Sequence, residues 1–198
     1  RAGSKRNIIA HYDLGNDFYR LWLDPSMSYS SALFDGTSYQ PLQAAQDAKY
    51  RRILSRLAAE PGQRVLEIGC GWGGFAEMAT HDGLAVTGLT LSPAQLAWAR
   101  QRVPSADLRL QDYRDTTERF DHVVSIEMFE AVGERWWPTY FRTVANALKP
   151  EGRAVIQSIT IRDDLFATYR RGTDFIQQYI FPGGMLPSRA EFRAQAAR

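Results

Sequence analysis

A glycine-rich turn with an acidic residue in front of it is the part of the sequence best suited to chemistry. Residues 64–68, Arg-Val-Leu-Glu-Ile, form a short apolar run, and Gly69, Gly71 and Gly74 follow it. Glycine lets the backbone turn sharply and approach a ligand closely, and the unpaired N–H groups of the following helix start favour a negative or polar group. We therefore predict a nucleotide-type ligand at this turn.

The residues around the turn narrow the type of ligand. The same glycine spacing occurs in dinucleotide-binding folds, where an acidic residue about 20 positions further on binds the ribose. Here the second apolar run, 84–89, leads into Thr90-Leu91-Ser92, so a nicotinamide dehydrogenase is disfavoured. The acid is Glu67, ahead of the glycines, which is where methyltransferases that use S-adenosylmethionine carry one.

The elements around this turn alternate between strands and helices. Apolar runs at 64–68, 84–89, 107–110, 120–126 and 153–159 are separated by segments with helical spacing. This order predicts a parallel α/β sheet of the class I (Rossmann-like) type, with the ligand at the carboxyl ends of strands one and four, where the strand order switches. A complete sheet of this class has two more strands, and we predict that they are absent from this chain because its last 38 residues look helical.

Length and composition predict one domain. With 198 residues, 44% hydrophobic and 23% charged, the chain can bury a full core. We divide it into a helical N-terminal segment (1–60), a ligand-binding core (61–160) and a helical acceptor-side segment (161–198). The lone cysteine, Cys70, cannot form an internal disulfide, and no apolar run approaches the ~20 residues that span a bilayer. We therefore expect a cytoplasmic protein.

The basic residues are concentrated in the two flanks. Clusters there could lie on an anionic membrane surface, although solvated helix faces explain them equally well. They comprise Lys49, Arg51, Arg52, Arg56, Arg170 and Arg171. Nucleic acid is disfavoured because no dense basic stripe with interleaved aromatics is present. Any membrane contact would then be peripheral, at the inner face, and a homodimer is possible.

Five separated segments resemble the family of cyclopropane fatty acid synthases and mycolic acid cyclopropane synthases. Members of this family add a one-carbon unit from S-adenosylmethionine to the double bond of an acyl chain. The segments follow the family order over most of the chain, which makes them more specific together than singly. They are HYDLGNDFY at 11–19, MSYSSALF at 27–34, the glycine turn, GLTLSPAQ at 88–95 and FPGGMLPS at 181–188.

The resemblance implies how the cofactor is bound. Tyr29 and Ser30 would lie near its methionine group, Gly69 and Gly71 beneath it, and Thr90 and Gln95 at the ribose. These roles suit the chemistry, because a hydroxyl and an amide can bind ribose hydroxyls. Asp112 and Tyr113 likewise offer an acceptor and a flat wall for adenine. Gln95 could instead be an ordinary first-turn helix residue after Ser92-Pro93.

The resemblance also implies a base, and here the sequence departs from its relatives. Methyl transfer to an alkene leaves a carbocation, and ring closure then requires a base while water is kept away. Family members hold bicarbonate as this base with a cysteine, a glutamate, a backbone carbonyl, a histidine and a C-terminal tyrosine. The first four match Ser31, Glu130, Ile126 and Gln157. Ser31 and Gln157 are both neutral, so bicarbonate is possible as a further cofactor but disfavoured.

A second carboxylate, Glu127, stands where the family usually has glycine. It lies three residues before Glu130, so on a helical turn the two would share a face and could form a base without bicarbonate. Glu127 could equally bind the methionine end of the cofactor or a backbone amide. The Tyr and Phe residues of 12–34 and 175–181 could stabilise a cation, although each ring could also be core.

The sequence therefore indicates one-carbon transfer to an unsaturated acyl chain, and we expect a phospholipid to carry that chain. The product could be a cyclopropane or a methyl- or methylene-branched chain. A different hypothesis is a non-catalytic relative that binds lipid or cofactor. We expect no metal ion, because neither His11 nor His81 has a second ligand at metal spacing.

Overall fold

The apolar runs form a five-stranded parallel sheet. The computed structural model describes residues 15–36 and 39–197. Within them the strand order is β3-β2-β1-β4-β5. The strands are β1 (Arg64–Ile68), β2 (Ala85–Thr90), β3 (Asp107–Leu110), β4 (Phe120–Ile126) and β5 (Leu148–Gln157). The predicted parallel α/β sheet is confirmed, and its order switches between β1 and β4.

Helices cover both faces of this sheet. They are α1 (Gly15–Arg20), α2 (Leu42–Leu57), α3 (Gly74–His81), α4 (Pro93–Arg102), α5 (Trp137–Ala147), α6 (Asp163–Tyr169) and α7 (Arg189–Ala196). Short 3-10 turns occur at Tyr113–Asp115, Phe129–Ala131 and Glu134–Trp136, and a π-helical turn occurs at Ile176–Ile180. The helical character predicted for both flanks is confirmed in the described ranges, whereas residues 11–14 of the first family-like segment lie outside them.

The last strand begins earlier than predicted. It starts at Leu148 and ends at Gln157, where the sequence predicted 153–159. Phe120 of β4 pairs with Leu148 and His122 pairs with Arg153, so the residues between them on β5 bulge out of the ladder. Because the bulge contains Pro150 and Gly152, its sequence looks like a turn before the strand rather than part of it.

Successive residues of β1 supply the two halves of the core. Val65 faces a cluster made with α2, α3 and α4, and Leu66 faces a cluster made with α5. Both side chains are fully buried. Since side chains alternate across a strand, a sheet covered on both faces needs apolar residues at consecutive positions. This requirement explains why Val65 and Leu66 are both apolar.

The glycine turn depends on a second glycine in the neighbouring strand. Gly69 follows β1 with φ +86°, a conformation that favours glycine. A Cβ added to Gly88 of β2 would lie 2.6 Å from Leu108 Cδ2 and 3.0 Å from Cys70 Cβ. Gly88 therefore leaves the space in which Cys70, and with it the turn, packs against the sheet.

The N-terminal segment packs on the same turn. Trp72 is 2% exposed, and its indole N–H donates to Asn16 Oδ1 over 2.7 Å. Its ring lies 5.0 Å from that of Tyr19 on α1. Aromatic contacts thus fix α1 beside the predicted ligand site. In the described ranges no helix is both long and apolar enough to cross a membrane.

Candidate active site

A cavity of about 900 Å³ opens at the carboxyl ends of the strands. It lies at the switch in strand order, which is the position that the sequence predicted. The predicted site residues that line it are Tyr29, Ser30, Ser31, Glu67, Gly69, Gly71, Thr90, Gln95, Asp112, Tyr113, Ile126, Glu127 and Glu130. Gln157 is not among the lining residues and contacts the site through Glu127.

Glu67 places an unsatisfied acceptor at one end of the cavity. Its side chain is 3% exposed, and Oε2 is buried without a hydrogen-bond partner. Burial raises the pKa of Glu67 to about 8, and the charges of Lys49 and Arg102 oppose this rise. Beside it, Gly69 is so close to Met128 that a Cβ would lie 3.1 Å from Met128 Cγ. An unpaired acceptor on Glu67 beside the glycine backbone of Gly69 suits a ligand that carries an N–H donor and approaches the backbone closely.

Thr90 and Gln95 are joined to each other beside this end. The Thr90 hydroxyl donates to Gln95 Oε1 over 3.0 Å and accepts from the Ser92 backbone N–H over 3.1 Å. Ser92 caps α4 by accepting from the Gln95 backbone N–H. Gln95 is therefore a first-turn helix residue that also lines the cavity, and its role at the ribose stays a prediction.

Asp112 and Tyr113 lie past the end of β3. Asp112 accepts from the Arg114 backbone N–H over 3.0 Å, and its carboxylate also pairs with the Arg114 guanidinium. The ring of Tyr113 packs edge-on against Tyr140, with 5.7 Å between centroids. Asp112 and Tyr113 both line the cavity, where a carboxylate can accept from a ligand amino group and an aromatic ring can form a flat wall.

The loop of residues 28–31 forms the opposite wall and is held by α2. Gln46 Nε2 donates to the Ser30 carbonyl over 2.8 Å, and Lys49 Nζ donates to Ser30 Oγ. Lys49 is 3% exposed, so the interpretation of this residue as part of an exposed basic cluster is wrong. Arg51, Arg52 and Arg56 are exposed as predicted. Lys49 belongs instead to the buried face of the helix, one turn from Ala45 and from Ile53.

Glu127 joins this loop to the sheet. Its Oε1 accepts from the Ser31 backbone N–H over 3.0 Å, from the Ser31 hydroxyl and from Gln157 Nε2 over 2.9 Å. The backbone of Glu127 has φ +49°, the left-handed region that glycine adopts most easily. Three predicted site residues that are far apart in sequence therefore meet at one carboxylate oxygen. The contact with the Ser31 amide also fulfils the alternative reading, in which Glu127 binds a backbone amide.

Glu130 has a different set of partners. Its Oε1 accepts from the Ser158 hydroxyl over 2.8 Å and from the Ile159 backbone N–H, while Oε2 is buried without a partner. Burial raises the pKa of Glu130; its own backbone, the Ile159 N–H and Ser158 oppose the rise, and the charge of Glu127 adds to it. Sequence reasoning missed Ser158 and Ile159, which follow β5 directly.

The prediction that the two glutamates share a helical turn is wrong. The 3-10 turn begins at Phe129, and Glu127 precedes it in the left-handed conformation, so its side chain points to the 28–31 loop instead. Both carboxylates nevertheless line the cavity. The shape of the pocket, rather than helical spacing, brings both carboxylates to the same cavity.

Aromatic side chains supply much of the remaining wall. Of the Tyr and Phe rings predicted for this role, Tyr29, Phe34 and Phe181 line the cavity, and Trp22 lines it as well. Tyr19 is 1% exposed and belongs to the core, whereas Phe175 and Tyr179 are exposed. Tyr29 lies 5.4 Å from the ring of Tyr19 and 5.5 Å from that of Trp22. The cavity therefore combines an apolar, aromatic wall with polar residues that include the carboxylates of Glu127 and Glu130.

Comparisons with known proteins agree with this geometry. A crystal structure of mycolic acid cyclopropane synthase CmaA1 complexed with SAH and CTAB matches with a TM-score of 0.87 at 33% identity, covering 98% of this chain and 73% of that chain. Tuberculostearic acid methyltransferase UfaA1 of Mycobacterium tuberculosis is 42% identical over 200 residues, covering 95% of this chain and 47% of its own.

Cyclopropane-fatty-acyl-phospholipid synthase of Escherichia coli is 44% identical over 181 residues, covering 90% of this chain and 46% of its own. The chain thus spans about half the length of these two curated relatives. A family model described as mycolic acid cyclopropane synthetase matches residues 1–198. The chain therefore belongs to the mycolic acid cyclopropane synthetase family.

Proposed function

We propose that the protein catalyses the S-adenosylmethionine-dependent transfer of a one-carbon unit to the double bond of an unsaturated fatty acyl chain carried by a phospholipid. One observation carries the proposal: the glycine turn with Glu67, the aromatic wall and two carboxylates all face a single cavity of about 900 Å³. A donor, an apolar acceptor and a base would thus meet in one space. The product is a cyclopropane or a methyl- or methylene-branched chain.

The residues present fit the cofactor. The partnerless Glu67 Oε2 is placed to accept from an ammonium group, and Gly69 lets a ligand approach the backbone. We assign Tyr29, Ser30, Gly69 and Gly71 to the methionine end, Thr90 and Gln95 to the ribose, and Asp112 and Tyr113 to the adenine. A solved relative has SAH bound, which supports this assignment. S-adenosylmethionine would supply an electrophilic methyl group.

The walls of the cavity suit a reaction that passes through a cation. Addition of a methyl group to a double bond leaves positive charge on the other alkene carbon, and water would trap it. The rings of Trp22, Tyr29 and Phe34 present apolar faces that exclude water and attract a cation. These rings therefore hold the reacting carbons away from solvent.

A carboxylate of the pocket completes the reaction by accepting a proton. Glu130 has a pKa raised chiefly by burial and an Oε2 without a partner, as a base aimed into an apolar space requires. Glu127 acts together with Glu130: its carboxylate is held by Ser31 and Gln157, the positions that the family resemblance assigns to bicarbonate binding. We propose that these two carboxylates make bicarbonate unnecessary and that the Ile126 carbonyl shapes their pocket.

The acceptor would reach the cavity from a membrane surface. Three residues of the lining, Trp22, Phe34 and Ile176, are each about half exposed, so the apolar wall continues to the outside of the protein. An apolar rim of this kind favours an acyl chain over a small polar acceptor. We infer peripheral contact at the inner membrane face.

The test is turnover by the purified full-length protein with S-adenosylmethionine and phospholipid vesicles. We expect S-adenosylhomocysteine and a gain of one CH2 in the acyl mass with unsaturated vesicles, and neither with saturated ones. Turnover restricted to a nucleic acid, a protein or a small polar acceptor would overturn the lipid assignment. Cofactor binding without product across several unsaturated lipids would favour the non-catalytic hypothesis instead.

A further inference from the structure

A buried lysine stands behind the cofactor side of the cavity without belonging to its lining. Lys49 of α2 is 3% exposed, and its ammonium group donates to two neutral acceptors, Ser30 Oγ and Gln46 Oε1. Burying an ammonium group is costly unless its surroundings compensate. Apolar residues would pack at this position at less cost, so the charge calls for an explanation beyond the core.

Gln46 and Lys49 together hold the 28–31 loop, all four residues of which line the cavity. Gln46 is 2% exposed and lies one turn before Lys49 on the same face of α2. It donates to the Ser30 carbonyl over 2.8 Å and to the Ser28 carbonyl over 3.4 Å, while its own oxygen accepts from Lys49. The backbone and the hydroxyl of Ser30 are thus fixed by one pair of side chains.

The charge of Lys49 also acts on the carboxylates of the site. Burial lowers the pKa of Lys49 to about 8, and the charges of Glu127, Asp24 and Glu67 oppose this fall. Glu127 follows β4, Asp24 follows α1, and Glu67 lies within β1. In return, Lys49 opposes the rise in the pKa of Glu67, as does Arg102 of α4. Tyr50 covers the ammonium group, with Nζ 4.5 Å from its ring centroid. Without Lys49, Glu67 would retain its proton to a higher pH.

We propose that Lys49 is a positioning residue for the reaction: it orders Ser30 through a direct hydrogen bond and places a positive charge near Glu67 on the cofactor side of the cavity. This inference rests on the proposed function, because it assigns the cofactor to the wall formed by Ser30 and Glu67. It adds a role for a residue that contacts neither the cavity nor the acceptor. This role in the site explains why the charged side chain of Lys49 is buried at this position.

The test measures S-adenosylhomocysteine affinity by titration calorimetry across the neutral pH range. The variants are Lys49→Met, which removes the charge, and Lys49→Arg, which keeps it. The control is Arg52→Met, an exposed site on the same helix. We expect Lys49→Met to weaken binding about 10- to 100-fold, which corresponds to one lost charge-assisted hydrogen bond. Its binding midpoint should move to higher pH, whereas Lys49→Arg and Arg52→Met should stay within about 3-fold of the parent.

Each outcome decides the matter. Unchanged affinity and an unchanged pH midpoint in Lys49→Met would overturn the role of Lys49 while leaving the proposed function intact. If the unsubstituted protein does not bind S-adenosylhomocysteine, the proposed function is wrong, and the role of Lys49 that rests on it is wrong as well. Circular dichroism checks the fold, and Lys49→Gln serves as a second neutral variant. If both neutral variants fail to fold while Lys49→Arg folds, the lysine serves the fold alone and the proposal is wrong.

Discussion

Replacing Glu127 by glycine should make turnover depend on an added small oxyanion such as bicarbonate. The Glu127 carboxylate fills the place between Ser31 and Gln157, where it accepts from the Ser31 N–H over 3.0 Å and from Gln157 Nε2 over 2.9 Å. Its removal leaves those donors facing an empty space of carboxylate size. A free oxyanion can bind the same donors and accept the proton in place of Glu127.

The size of the effect follows from the structure. A positioned general base contributes roughly 10²- to 10⁴-fold to a rate, so we expect a loss of that order without oxyanion. Stability should fall modestly, because three hydrogen bonds to Glu127 are lost at roughly 0.5–1.5 kcal/mol each. Glycine offsets about 1 kcal/mol of this loss by removing the strain of φ +49° at this position.

The assay compares turnover in buffer freed of carbon dioxide with turnover after bicarbonate is added. The parent protein should be indifferent to bicarbonate, whereas Glu127→Gly should recover activity with it. Glu127→Gln is the matched control, since its amide keeps an acceptor oxygen and fills the space, so it should stay inactive in both buffers. Full activity of Glu127→Gly without bicarbonate, or a bicarbonate requirement in the parent protein, would refute the reasoning.

Three further substitutions test other parts of the account. Glu130→Gln should abolish lipid product while S-adenosylhomocysteine affinity, measured by calorimetry, stays within severalfold; normal turnover would contradict this. Burial raises the pKa of Glu67 from 4.5 to about 8, so the native protein retains a proton that the unfolded chain loses, and stability should fall as pH rises across that window. Urea titrations should show a weaker fall for Glu67→Gln, and equal slopes would count against a buried proton. Gly88→Ala would place Cβ 2.6 Å from Leu108 Cδ2. The overpacking should cost about 1–3 kcal/mol and lower the urea midpoint, and an unchanged midpoint would show that the turn has room.

The fold could be predicted because its elements repeat a simple pattern. Each strand carries apolar residues that pack in the core, and β1 is followed directly by the turn at Gly69. Parallel strands and their crossovers then fix where the ligand site lies. The start of β5 was missed because a bulge that contains Pro150 and Gly152 is not periodic.

The partners within the site could not be predicted in the same way. Glu127 meets Ser31 across 96 positions of sequence, and no local spacing encodes that contact. Its left-handed backbone also turns it away from the helical turn that its distance from Glu130 suggested. Lys49 did carry a signal, because it lies one turn from Ala45 and from Ile53 on an apolar stripe. Because Lys49 is charged and stands close to Arg51 and Arg52 in the sequence, it was assigned to an exposed basic cluster instead.

The most direct test of the account uses S-adenosylmethionine with a fully deuterated methyl group and an unsaturated phospholipid. If a pocket carboxylate removes a proton from the transferred carbon, mass spectrometry will find product that keeps two of the three deuterium atoms. Retention of all three in every product would contradict the role of the base. Absence of deuterium from the acyl chain would contradict one-carbon transfer itself.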